Sequence, residues 1–333
     1  MSLVEIPFIV EANYDGWRLD RYLQQKLGRA SRAQVQRIIR ESLIQDEQRR
    51  LKPSSRVTAG LRIRILKEEM LEPAGLPDEL GVLYDEEDIL AVDKPAGLPV
   101  HPTARYFRGT VTTILGRDHR DEAGRRPDPA HRLDRETSGV LVCGRTKEMT
   151  RALKELFARG GSKSRHPLQK VYLALVEGEP AWEKKEIAHP LALTGAHRVR
   201  IRMSVVDPDE PGALPSKTIV EVVGRYRNEQ ETCFALLRCM PKTGRQHQIR
   251  AHLAAEGLPV VGDKIYGHDE AAFVRFTQDA LTESDLKNLR LPRQALHALR
   301  IRFDNPLSGS FVEIEAPLPR DLSLFLKGLE RIE

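Results

Sequence analysis

Leucines recur every four residues in Trp17–Gly28 (WRLDRYLQQKLG), at Leu19, Leu23 and Leu27, and the spacing predicts an amphipathic helix stopped by Gly28. In the stretch that follows, SRAQVQRIIRESLI, Val35, Ile38 and Ile39 fall on one helical face while Arg37 and Arg40 fall on the other. Ser31 stands where an N-cap belongs, and Gln34 three residues on completes a capping box. Leu61–Leu66 (LRIRIL) alternates apolar residues with arginine, the period of a strand with one charged face. Residues 67–79 (KEEMLEPAGLPDE) are acidic, carry Pro73, Gly75 and Pro77, and read as a linker. From Leu80 onward short β-rich runs dominate, at 89–93, 139–143, 171–176, 218–223 and 233–239. Helical periodicity is rarer, as at 146–158 and 247–257, and 159–167 and 207–216 read as surface loops. Strands broken by occasional helices, without βαβ alternation, predict an α+β domain on a mixed, mostly antiparallel sheet. The expected order is an extension at 1–15, a small module at 16–66, the linker, and a large domain over 80–333.

Composition narrows the class. With 333 residues, 40% hydrophobic and 30% charged, the chain is long enough for two core-forming domains. No run approaches the ~18 apolar residues of a membrane helix, and the N-terminus lacks the basic-then-apolar pattern of a signal peptide. Cys143, Cys233 and Cys239 are odd in number and have no CxxC spacing, which fits a reducing cytoplasm and buried thiols. The net charge of +5 is unevenly placed. Residues 1–66 hold 13 Lys and Arg against 7 Asp and Glu, whereas the rest of the chain holds 40 against 41. The basic excess therefore belongs to the small module, as expected of a part that meets an anionic partner.

Three strings carry candidate chemistry. HRLDRETSGVLV (131–142) places Asp134 between Arg132 and Arg135 in a loop closed by Gly139, just before an apolar strand. The commoner fate of such an aspartate is a surface ion pair. A flanking guanidinium would also keep it ionised, hence nucleophilic, in a site that excludes solvent. KTGRQHQIRAHL (242–253) gathers Lys242, Arg245, His247 and Arg250 at a helix start, a group that could bind phosphates. KVYLALV (170–176) puts Tyr172 in a strand, where composition alone makes it core. Nucleotide-binding loops, HExxH and GxSxG are absent, and the histidines and cysteines have no zinc spacing, so neither cofactor nor metal is expected.

The N-terminal module resembles the alpha-L RNA-binding domain known from a ribosomal protein, through RLDRYL (18–23), SRAQVQRII (31–39) and KPSSRV (52–57). It departs from that pattern at ESLIQDEQRR (41–50), where a glycine-bounded strand ending in Asn-Gly is usual. The resemblance makes Ser31, Arg32, Arg37, Arg40 and Lys52 candidate RNA contacts, within a basic set that also includes Arg49, Arg50 and Arg56. The large domain resembles the RluA-type family of RNA pseudouridine synthases: HRLDRETSG, KVYLALVEG and TGRQHQIRAHL occur in the family's order. DKPAGLPVHPT (93–103), VGDKIYG (261–267) and RQALHALRIRF (293–303) match as well. That resemblance implies isomerisation of uridines in structured RNA, without a cofactor. It casts Asp134 as nucleophile, Arg245 as the partner of its carboxylate, and Tyr172 as the ring stacked on the target base. Ile249 or a neighbour would pack the pocket's other side, and Arg132 would help hold the extruded nucleotide's place or its phosphate. Arg135, Lys242, His247 and Arg250 would complete the RNA contacts. Large-subunit ribosomal RNA is the first expected substrate, transfer RNA the second, and a monomer the expected state.

Two rivals stand beside this reading. One is a non-catalytic RNA-binding assembly factor. The other is a hydrolase of N-glycosidic bonds, which needs a second carboxylate, with Glu136 the nearest.

Overall fold

The computed structural model describes residues 3–27, 30–45, 51–68, 72–73, 75–103, 106–159, 165–195 and 197–332. They form two compact units, Met1–Leu71 and Glu72–Glu333. Gly28, Arg49, Arg50 and residues 160–164 of the expected basic loop lie outside the described residues.

In the first unit, helices Leu19–Leu27 and Arg32–Glu41 pack on a three-stranded antiparallel sheet ordered Leu3–Ile9, Arg62–Glu68, Leu43–Gln45. The four-residue spacing buries Leu19 and Leu23 against Val35, Ile39, Val57 and Ile63. The capping box forms as read: Ser31 Oγ accepts the Gln34 N–H, and Gln34 Oε1 accepts the Ser31 N–H. Such a cap is worth about 1 kcal/mol, and it occupies the hydroxyl expected to meet RNA. Arg37, Arg40 and Lys52 are exposed. Arg32 instead turns onto the buried carboxylate of Asp20 at 3.2 Å, beside Arg18 at 3.0 Å. Residues 43–45 of the departing segment still pair with Ile63–Ile65. The strand Arg62–Glu68 runs into the stretch read as linker. Glu72, in that same stretch, accepts backbone N–H groups of the second unit, from Arg108 at 2.8 Å and Gly109 at 3.0 Å.

An eleven-stranded sheet organises the second unit. Its main path runs Glu330–Arg331, Thr218–Arg227, Cys233–Pro241, Gln169–Glu177, Leu296–Asp304, Ser138–Gly144, Ile89–Lys94, Gly81–Glu86. Every pairing is antiparallel except that of Leu296–Asp304 with Ser138–Gly144, so the sheet is mixed and the class α+β. All five β-rich runs are strands of it. The strand Leu296–Asp304 is not among the expected runs: Leu299–Phe303 alternates, but at its start the polar His297 points inward and bonds Ser138 Oγ at 3.0 Å.

Two features place the site. Gly139 has φ +106°, and a Cβ there would lie 2.3 Å from the Ala298 carbonyl oxygen. Only glycine lets the strand behind the Asp134 loop approach its parallel neighbour this closely. The Gln248–Ala255 helix is buried nearly all round, from Gln248 through Leu253, the habit of a core helix rather than a surface one. No helix among the described residues is long and apolar enough to cross a membrane.

Candidate active site

The Asp134 loop, the Tyr172 strand and the Thr243–Arg250 segment surround an open cavity of about 590 Å³. Asp134 supplies the only carboxylate in its lining among the described residues. Its Oδ2 accepts from Arg250 Nη1 at 2.8 Å and from Gln294 Nε2 at 3.5 Å. No hydrogen bond from a described residue reaches Oδ1, and His247 Nε2 stands 3.9 Å from it. Burial acts to raise the Asp134 pKa, but the Arg250 charge, His247 and the hydrogen bonds from Arg250 and Gln294 together outweigh it and hold the carboxyl below its usual range. The group is therefore ionised at neutral pH with one oxygen available.

Arg250 is itself held from behind. Its Nε and Nη2 form a fork on Asp263, at 2.6 and 2.8 Å, and Asp263 also accepts the N–H groups of Ile265 and Tyr266. The guanidinium lies 5.1 Å from the Tyr266 ring centre. A planar donor gripped on two edges can present its remaining N–H in only one direction.

These contacts overturn three expectations. Arg245 does not pair with Asp134. It is exposed, ahead of the left-handed turn at His247 (φ 55°), and its Nε donates to the Pro215 carbonyl at 3.1 Å. Arg250 takes that place because it lies inside the buried helix, and for the same reason it is not available to a phosphate. Arg135, adjacent in sequence, faces away from Asp134: it meets Glu136 at 3.1 Å, bonds the Tyr106 hydroxyl, and covers the Phe276 ring at 4.8 Å.

The remaining expected residues divide. Tyr172 and Ile249 line the cavity. The Tyr172 hydroxyl is pushed well above its ordinary pKa, chiefly by burial and further by Asp134, so it stays protonated. Arg132 lines the cavity and is exposed, while Lys242 is exposed but lies outside the lining. His247 is buried and neutral, its pKa pushed down to about 4 by burial and the Arg250 charge. The Tyr266 hydroxyl accepts the Met203 N–H at 2.8 Å and contacts His247 Nδ1 at 3.1 Å. A buried hydroxyl needs an acceptor for its own proton. Nδ1 provides it, which leaves the ring proton on Nε2, facing Asp134.

Asp263, Gln294, Tyr266 and Lys94 carried no assigned role in the sequence. Asp263 and Tyr266 lie in VGDKIYG, Gln294 in RQALHALRIRF and Lys94 in DKPAGLPVHPT, so the signal that could have found them was motif membership. Lys94 is fully buried, and its ammonium donates to the carbonyls of Pro95 (2.8 Å), Leu98 (2.8 Å) and Arg135 (3.0 Å). It ties one motif to the loop that carries Asp134. Burial pulls its pKa to about 7, against the attraction of Asp134.

Comparison with known proteins agrees with this geometry. Residues 88–255 match the RNA pseudouridylate synthase family. Ribosomal large subunit pseudouridine synthase D of Nitrosomonas europaea is 31% identical over 98% of this chain and 88% of that protein. Ribosomal large subunit pseudouridine synthase C of Escherichia coli (strain K12) is 33% identical over 96% of this chain and 95% of its own. Among solved structures, human RNA pseudouridylate synthase domain containing 1 superposes with a TM-score of 0.56 at 25% identity, covering 78% of this chain and 91% of that one.

Proposed function

Because this chain belongs to the RNA pseudouridylate synthase family, whose members are isomerases acting on RNA, we propose that it converts uridines of large-subunit ribosomal RNA to pseudouridine, with Asp134 as the reacting group. The observation that carries this reading is the divided Asp134 carboxylate: Oδ2 pinned by Arg250, Oδ1 unbonded in a cavity lined by Tyr172. The relatives, ribosomal large subunit pseudouridine synthases, suggest the substrate class.

The reaction breaks the uracil N1–C1′ bond, turns the base and joins C5 to C1′. Every heavy atom of the base is kept; the hydrogen on C5 leaves to water and N1, freed from C1′, takes up a proton in exchange. An ionised carboxylate oxygen serves this sequence either as a nucleophile at C1′ or C6 or as a base toward C2′, and each route needs the charge that Arg250 maintains. Reaching the cavity requires the uridine to leave its stack, at a cost of a few kcal/mol. Tyr172 on one side and Ile249 on the other would replace lost stacking with ring and aliphatic contact. Exposed Arg37, Arg40 and Lys52 of the first unit, with Arg132, Lys242 and Arg245 of the second, would meet phosphates, so binding weakens steeply with salt. We take the protein to act as a cytoplasmic monomer.

Glu136 argues against the hydrolase. It does not line the cavity, and Lys264 Nζ holds both its oxygens at 3.0 Å. The test is tritium release from RNA labelled at uridine C5, alongside a search for free uracil. Release from large-subunit ribosomal RNA supports the proposal, and release only from transfer RNA moves the substrate. Tight binding without release makes the protein a binding factor, and free uracil makes it a hydrolase.

A further inference from the structure

The helix Lys147–Arg159 turns Met149, Leu153 and Leu156 into the core, which leaves Lys147, Arg151 and Lys154 at i, i+4 and i+7 along its exposed face. At about 1.5 Å per residue this stripe is roughly 10 Å long. Some arginines elsewhere on the unit are ion-paired: Arg117 with Asp118 at 2.6 Å, Arg125 with Asp121 at 2.6 Å, Arg145 with Asp85 at 2.5 Å. No described residue forms a salt bridge with any member of the stripe. The stripe lines a hollow of about 450 Å³, where Lys147, Arg151, Lys154 and Arg159 face only the carboxylates of Asp128 and Glu155. Asp128 is already 3.4 Å from Arg126. Lys154 and Ala158 line both this hollow and the Asp134 cavity, so the two adjoin. At the junction, Lys154 and Arg132 add to burial in lowering the pKa of His101, as a surplus of positive charge does.

We infer that this helix face is the track along which the RNA strand next to the target uridine leaves the cavity, with Lys147, Arg151 and Lys154 holding successive phosphates. The inference rests on the reading of the protein as an RNA pseudouridine synthase and deepens it. Evenly spaced cations without aromatic neighbours suit a repeating anionic backbone rather than bases, so the track positions the strand without reading its sequence. Its place beside Asp134 ties it to the reacting nucleotide, which distinguishes it from the basic surface of the first unit.

The experiment compares two full-length double variants, each losing two exposed positive charges. Lys147→Gln with Arg151→Gln removes two of the three track cations. Lys287→Gln with Lys327→Gln removes the same charge from helices Glu283–Leu289 and Arg320–Lys327. Affinity for a large-subunit ribosomal RNA fragment is measured over a range of salt concentrations. The track variant is expected to flatten the dependence of log affinity on log salt by about 1.4 to 1.8, two phosphate contacts' worth, and the control by less than half of that. Equal slopes in the two variants, with wild-type turnover intact, would overturn the track alone. A wild type that neither isomerises uridine nor binds this RNA would overturn the underlying reading, and the track with it.

Discussion

Each unit holds a carboxylate gripped by arginine, and the two are arranged differently. Asp20 in the first unit is fully buried, and Oδ1 and Oδ2 are both engaged, by Arg18, Arg32 and Gln36. Asp134 in the second keeps its side chain 21% exposed, with Oδ2 engaged and Oδ1 without a hydrogen bond from any described residue. Both carboxyls sit below their usual pKa, Asp20 through the Arg18 hydrogen bond first, Asp134 because Arg250 and its neighbours together outweigh burial. A depressed pKa therefore does not mark function on its own. Reactivity follows from an unspent oxygen facing a cavity, while a saturated carboxylate is a tie between helices.

The sharpest break in that comparison is Asp134→Asn. It is expected to cut tritium release by about 10⁴-fold or more, since the reacting group itself is lost. Folding should be spared, because Arg250 keeps Asp263. Next is Arg250→Lys, which retains charge but loses the fork. We expect single-turnover rates to fall by about 10²-fold. Its acid limb should also move up in pH, because burial then raises an Asp134 pKa that the guanidinium had held down. Arg245→Met is the contrast: it should weaken RNA binding while leaving that rate within about threefold, as for any contact made outside the reacting centre. An Arg245 variant as slow as Arg250→Lys would restore the pairing read from the sequence.

Asp263→Asn should cost about 10-fold to 10²-fold in rate by loosening Arg250 without touching RNA. Asp20→Asn should leave the rate on saturating RNA unchanged and destabilise the first unit by about 1–3 kcal/mol, as unpaired buried donors do. Hydrogen exchange in the helices Leu19–Leu27 and Arg32–Glu41 would report it. The sign with pH follows: a carboxyl whose folded pKa lies below its unfolded value of about 3.9 stabilises the fold above that value. Its contribution is lost as pH falls through the folded pKa, and Asp20→Asn should erase this acid dependence. The smallest effect is expected of Tyr172→Phe, within about 10-fold, because ring contact rather than the protonated hydroxyl serves the base. A loss as large as that of Asp134→Asn would give the hydroxyl a part in the chemistry.

Local periodicity made much of this protein legible. The four-residue leucine spacing, the Ser31 capping box and five apolar runs all became the elements they describe, since each depends on side chains within a few residues. Motif order made the family and Asp134 legible as well. The pairing of Asp134 was not. Arg132 and Arg135 flank it in sequence, yet the guanidinium that meets it arrives from 116 residues away. Arg245 and Arg250 lie five residues apart in one basic string, and nothing in that string says that the chain turns at His247 and drives only Arg250 into the core. Composition and pattern determined the elements, the class and the candidate aspartate, because helix caps, strand alternation and motifs are written in neighbouring residues. The tertiary structure alone decided which arginine holds that aspartate, that Asp263 holds the arginine, and that Oδ1 stays open, because burial and ion pairing depend on segments that meet only when the sheet is assembled.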